Sequence, residues 1–77
     1  MSRPIHAIAS EISSLWKPVN YAAKPYLEAM HDLSLITDKY CLDSAKSIIL
    51  YFLSNASTWR GEDAKRIKLE LKALLKA

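Results

Sequence analysis

The sequence predicts an all-α fold, a compact bundle of about four helices in a single domain over residues 1–77. Apolar residues recur at three- and four-residue spacing along most of the chain, which is the pattern of amphipathic helices. One glycine and three prolines provide few of the turns that a β-rich fold needs. A chain of 77 residues buries only about 60% of its unfolded surface, yet 51% of this one is hydrophobic. We therefore also expect self-association.

Two helices are predicted in the N-terminal half. The first covers residues 4–16 and ends before Pro18, because the residue preceding a proline is pushed out of helical geometry. Its apolar stripe consists of Ile5, Ile8, Ile12 and Leu15. The second covers residues 18–33, and Pro25 predicts either a kink within it or a new helix that begins at Lys24.

A polar connector over residues 34–42 separates these helices from the third. We expect Asp43 or Ser44 to cap the third helix, whose apolar residues run from 45 to 56. Because apolar side chains extend around most of its circumference, it is predicted to be the central helix of the bundle.

The fourth helix is predicted from Trp59 or Gly61 to the end of the chain, with Thr58 as its N-cap. An apolar seam at 3-4-3 spacing is expected to be buried: Ala64, Ile67, Leu71 and Leu74. Spacing of four residues predicts ion pairs of Arg66 with Glu62 and Glu70. Lysines line another face: Lys68, Lys72 and Lys76.

Composition excludes several classes of protein. Cys41 is the only cysteine, so no disulfide stabilises the chain, and we expect an inert free thiol. His6 and His31 with one cysteine do not make a zinc site, so no metal or cofactor is predicted. No signal peptide is visible, and the longest apolar run of six residues is far below the roughly 20 that span a bilayer. A cytoplasmic protein without membrane contact is expected.

Catalytic motifs are also missing from the sequence. No serine lies in a G-x-S-x-G elbow, and His31-Asp32 is more typical of a solvated helix end than of a proton-transfer pair. We therefore predict no enzyme activity and no catalytic residues.

The segment 54–66 is the strongest candidate for a ligand site. It places an aromatic ring, Trp59, beside a planar cation, Arg60, at a junction between two helices. These groups suit the stacking of a base and the binding of phosphate. The ligand-binding residues predicted are Trp59, Arg60, Asn55, Ser57, Thr58, Lys46, Tyr21, Tyr26 and Arg66. The alternative interpretation is a helix cap with a buried tryptophan.

The net charge of +3, from eleven Lys/Arg and eight Asp/Glu, is modest. It favours a small anionic ligand over long nucleic acid, which normally needs a denser basic stripe. Although the fourth helix is basic, the third is too apolar to serve as a recognition helix. Nucleic acid is therefore not the expected partner.

The stretch D-S-A-K-S-I-I-L-Y-F-L-S-N-A-S-T-W-R-G-E-D-A-K-R-I-K, residues 43–68, resembles short proteins encoded by phages and prophages of Gram-positive bacteria. The segments I-H-A-I-A-S-E-I and W-K-P-V-N-Y-A-A-K-P-Y-L-E-A-M are similar to the same group. The resemblance implies a small accessory phage protein. Many such proteins block bacterial defence, and the sponge families, among them Sequestin, capture the nucleotide signals of Thoeris or CBASS systems.

The resemblance further implies a compact oligomer that binds its ligand between subunits without turning it over. We therefore expect a phage anti-defence protein in the host cytoplasm that sequesters a cyclic nucleotide or an ADP-ribose derivative. Two alternatives remain open, a protein-binding inhibitor of a host or defence protein and a small nucleic-acid-binding phage regulator.

Overall fold

The computed structural model describes residues 3–40 and 43–76 and confirms the all-α prediction. The helices are α1 (Ile5–Leu15), α2 (Lys24–Met30), α3 (Ala45–Ser54) and α4 (Glu62–Lys76). Two short strands form an antiparallel pair that the sequence did not predict. Strand β1 (Lys39–Tyr40) lies in the expected polar connector, and β2 (Asp43–Ser44) covers the two residues predicted to cap the third helix. The prediction for the thiol of Cys41 lies outside the described residues.

Helix α1 is anchored at its start by the chain that follows α2. The N–H groups of Ile5 and His6 donate to the carbonyls of Ser34 and Leu33 at 2.9 and 2.8 Å. The first turn of a helix has no internal acceptors, so these two bonds satisfy donors that would otherwise need water. The expected apolar stripe is buried except for Leu15, which is 42% exposed because α1 ends there.

Helix α2 is shorter than the segment predicted for it. It begins at Lys24, so the alternative of a new helix at that residue is confirmed, and Pro25 lies in its first turn. Proline is tolerated there because the first-turn N–H has no intrahelical partner. Asn20 shapes the preceding turn, since its Oδ1 accepts from the N–H of Ala22 at 2.8 Å and its carbonyl accepts from the N–H of Ala23 at 2.9 Å.

Helix α3 is central and packs against α2, α4 and β2. Ser44 caps it, because its Oγ accepts a hydrogen bond from the N–H of Ser47 at 3.2 Å. Its buried face consists of Ala45, Ile48, Ile49 and Phe52. Leu50 and Tyr51 remain about half exposed, so the apolar surface of α3 is wider than the part that neighbouring helices cover.

Helix α4 begins at Glu62, and the predicted cap at Thr58 is wrong. The carbonyl of Gly61 accepts the first helical hydrogen bond, from the N–H of Lys65 at 3.0 Å. Gly61 has a φ of +114°, a backbone conformation that side chains with a Cβ rarely adopt, and this turn separates Thr58 from the helix. The expected apolar seam of α4 is buried throughout.

A chain of ion pairs joins α1 to α4. Arg3 donates two hydrogen bonds to Glu70 at 2.7 and 3.0 Å, and Arg66 donates to Glu11 at 2.8 Å and to Asp63 at 3.3 Å. Arg3 Nη1 also lies 2.7 Å from Glu11 Oε1, an ionic contact rather than an aligned hydrogen bond. The predicted pairs of Arg66 with Glu62 and Glu70 are therefore wrong, because Glu70 pairs with Arg3 and Arg66 pairs with Glu11 and Asp63.

Within the described ranges, no helix is long and apolar enough to cross a membrane.

Candidate functional site

A groove of about 450 Å³ runs along α4 beside the loop that joins it to α3. We call it the α4 groove. Its lining consists of Trp59, Arg60, Gly61, Ala64, Lys65, Lys68, Leu69 and Lys72. Four of these eight residues are cationic and none is acidic.

The helical period explains why the lysines of this groove lie together. Lys65, Lys68 and Lys72 are separated by three and four residues, so they share one face of α4. With a rise of 1.5 Å per residue, the row from Lys65 to Lys72 is about 10 Å long. Arg60 joins the row from the loop before the helix. The result is a continuous cationic edge along the groove.

Lys68 is the anchored member of this row. Its Nζ donates to the carbonyls of Ala56 and Trp59, each at 2.7 Å. Burial, and then the positive charges of Lys72 and Arg60, lower the pKa of the Lys68 ammonium. An ammonium has three donors, so one N–H of Lys68 is left for a further acceptor.

Trp59 lines the groove and is only 5% exposed. Its indole stacks on that of Trp16, with 5.4 Å between ring centroids and 10° between planes. Trp16 in turn meets the ring of Phe52 edge-on at 6.2 Å. The tryptophan is thus buried, as the alternative interpretation expects, and stacking of a base on its Trp16-facing side would require this pair to open.

The three polar residues predicted near Trp59 lie outside the lining of the groove. The amide Nδ2 of Asn55 donates to the carbonyl of Tyr51 at 2.8 Å, at the end of its own helix. Thr58 Oγ1 accepts a long hydrogen bond of 3.5 Å from Asn20 Nδ2, which links the α1–α2 and α3–α4 loops. Ser57 is exposed.

The other four predicted residues are dispersed over the surface. Lys46 is exposed in the first turn of α3, and Tyr21 is 88% exposed in the loop before α2. The ring of Tyr26 packs on that of Tyr51, with 5.4 Å between centroids. Arg66 is held by Glu11 on the side of α4 that faces α1. Of the nine predicted residues, the structure brings only Trp59 and Arg60 together in the α4 groove.

Sequence reasoning assigned no ligand role to Lys65, Lys68, Leu69 or Lys72. The spacing of Lys68 and Lys72 was a usable signal, because residues four apart on a helix are neighbours. The spacing does not predict that the α3–α4 loop lies beside the lysine-bearing face of α4 and forms a groove with it.

His31 has a different neighbour from the one that its sequence suggests. Its Nε2 lies 3.2 Å from Ser13 Oγ, and both residues lie on a second groove of about 340 Å³. In residues 3–40 and 43–76, no carboxylate hydrogen-bonds to this imidazole, so nothing orients it as a general base.

Among the same residues, no group of three or more histidine, cysteine, aspartate or glutamate side chains is placed to hold a metal ion. Comparison of the chain with protein-family models, with curated proteins and with solved structures finds no match.

Proposed function

We propose that this protein binds a small phosphorylated ligand of the nucleotide class in the α4 groove and holds it without chemical conversion. In this proposal it acts as a phage anti-defence protein that sequesters a nucleotide immune signal, as its resemblance to phage accessory proteins implies. The observation that carries the proposal is the cluster of Arg60, Lys65, Lys68 and Lys72 around one groove without an acidic neighbour in its lining.

Charge is the first support. Like charges a few ångströms apart repel one another, and the positive charges of Lys72 and Arg60 add to the effect of burial in lowering the pKa of Lys68. A bound anion would offset this repulsion and accept charge-assisted hydrogen bonds from the cations, which are about twice as strong as neutral ones. The cationic row on α4 therefore matches phosphate groups.

Size and apolar surface are the second support. The groove volume of about 450 Å³ lies within the range of roughly 300–1,000 Å³ that is common for small-molecule sites. Leu69 is 58% exposed inside a cationic lining. An exposed apolar side chain between cations suits a ligand that combines a ring system with phosphate.

Self-association belongs to the same proposal. Besides Leu69, four large apolar or aromatic side chains among the described residues are at least half exposed, namely Tyr21, Leu35, Leu50 and Tyr51. A second copy that covers Leu69 would also narrow the open groove, because Leu69 lines it. The same surface favours the second candidate function, a protein-binding inhibitor of a host or defence protein.

The proposal is tested by calorimetric titration of the protein with ATP, ADP-ribose and cyclic dinucleotides. We expect binding, with at least a ten-fold weaker affinity for Lys72→Gln, which removes a groove cation. Lys46→Gln is the matched control, because it removes the same charge from an exposed helical site outside the groove. Chromatography of the recovered ligand is expected to show it chemically unchanged.

Two results would contradict the proposal. The absence of heat with every nucleotide would favour the protein-binding inhibitor instead. An equal loss of affinity in both lysine variants would show that general charge, rather than the groove, attracts the ligand.

A further inference from the structure

Of the four cations in the α4 groove, Lys68 has a fixed position, and Lys72 and Arg60 are the two whose charges act on it. The ammonium of Lys68 is held by two carbonyls, those of Ala56 and Trp59, at 2.7 Å each. Lys72 and Arg60 are exposed, and no ion pair in the described part of the chain engages either of them. Lys68 thus defines a point in the groove toward which both of them can turn.

The three charges converge from different directions. Lys72 lies one helical turn beyond Lys68 on α4, and Arg60 approaches from the loop before the helix. Both are near enough to disfavour the positive charge of Lys68. The guanidinium of Arg60 adds a planar pair of donors, which matches two oxygens of one phosphoryl group. Together these groups offer three positive charges to a ligand placed beside Lys68.

The strength of binding to these three cations depends on how negative charge is distributed on the ligand. A cyclic phosphodiester carries one negative charge per phosphorus and has few free oxygens. A terminal phosphate carries about 1.5 to 2 negative charges at neutral pH, and a diphosphate places charges on adjacent groups. Because Coulomb energy scales with the product of the charges, three cations around one point gain more from a concentrated anion.

We propose that the α4 groove selects ligands with a terminal phosphate or a diphosphate, the nucleoside diphosphate class, over cyclic phosphodiesters. Lys68, Lys72 and Arg60 form the phosphoryl subsite, and the base lies toward Leu69. This inference rests on the proposed function and narrows its ligand.

The test compares ADP and ADP-ribose with 3′,5′-cyclic AMP and cyclic di-AMP by calorimetry at one ionic strength. We expect the two diphosphates to bind at least ten-fold more tightly than either cyclic compound. Inorganic pyrophosphate is expected to displace ADP, because the subsite recognises the phosphoryl groups.

Substitutions in the phosphoryl subsite test whether this subsite causes the selectivity for diphosphates over cyclic compounds. Arg60→Gln and Lys72→Gln alter exposed side chains, so the fold is retained, and each is expected to reduce the ratio of ADP to cyclic AMP affinity at least three-fold. Lys46→Gln, which removes an exposed lysine outside the groove, should leave that ratio unchanged.

Three other outcomes of these titrations would each overturn a different part of the proposal. Equal or tighter binding of the cyclic compounds would overturn the selectivity and leave nucleotide binding in place. Diphosphate selectivity that survives both groove variants would overturn the assignment of the subsite. Failure of all five compounds to bind would overturn the proposed function together with this inference.

Discussion

Trp16 and Trp59 stack face to face, with 5.4 Å between their ring centroids and only 10° between their planes. The first ring lies at the C-terminus of α1 and the second in the loop between α3 and α4, so the pair joins segments 43 positions apart in sequence. Because an aromatic pair adds specific geometry to a large buried area, this contact positions the loop that forms one wall of the α4 groove.

Replacing Trp59 with alanine is expected to destabilise the fold by about 3–5 kcal/mol, as is typical of a buried tryptophan. The reason is the loss of both the buried area and the stack on Trp16. Denaturant unfolding followed by circular dichroism measures the effect. Tyr21→Ala is the control, and its exposed ring predicts a change within about 0.5 kcal/mol. Equal stability of the two variants would contradict the burial of Trp59.

Replacing Lys68 with methionine is expected to destabilise the fold by about 1–3 kcal/mol, because two partly buried carbonyls lose their donor. Lys72→Met makes the same chemical change one turn further along α4, where the lysine is exposed. We expect this control to unfold at nearly the wild-type denaturant concentration. A Lys68 variant as stable as the control would show that water satisfies the two carbonyls equally well.

Acid is expected to weaken the α1–α4 interface through Glu11. The hydrogen bond from Arg66, and then the ionic contact with Arg3, hold the pKa of Glu11 below its ordinary value of 4.5. Since the pKa is depressed in the folded state, the contribution of Glu11 to stability is complete above about pH 4.5 and is lost as pH falls through the folded pKa. Thermal melts between pH 7 and pH 3 measure this loss.

Glu11→Gln should therefore reduce the loss of stability in acid, whereas Glu28→Gln, at an exposed site on α2, should not. Part of the loss of stability in acid is expected to remain in the Glu11→Gln variant, because a second carboxyl, that of Asp38, also contributes. The N–H groups of Leu35 and Ser34 donate to Asp38 at 2.9 and 3.0 Å and lower the pKa of that carboxyl as well. Identical acid profiles of wild type and the Glu11 variant would contradict the network.

Light scattering is expected to give a mass above that of one chain, because the outer side of α3 exposes large apolar side chains. Leu50→Glu places a charge on that side and should lower the mass if α3 forms the contact between copies. Glu28→Gln, on another helix, is the control that should leave the mass unchanged. A monomeric wild-type protein at micromolar concentration would contradict self-association.

The helices and their buried faces were predictable because both depend on local spacing. The α4 seam, the cap at Ser44 and the helix start near Pro25 all follow from residues within one or two turns of one another. The cap of α4 was not predicted correctly, because the positive φ of Gly61 separates Thr58 from the helix. The helix begins at Glu62, one residue after the alternative start predicted at Gly61.

The sequence by itself therefore determined the helical class, the order of the helices and which side of each is apolar. Only the tertiary structure decided the partners: Arg66 bonds Glu11, Trp59 stacks on Trp16, and Lys68 turns toward the carbonyls of Ala56 and Trp59. Two of these three contacts join residues more than forty positions apart, and the third depends on where the α3–α4 loop folds back. Helical periodicity does not predict contacts between residues so far apart in sequence, because these contacts form only when the packed helices bring separate segments together.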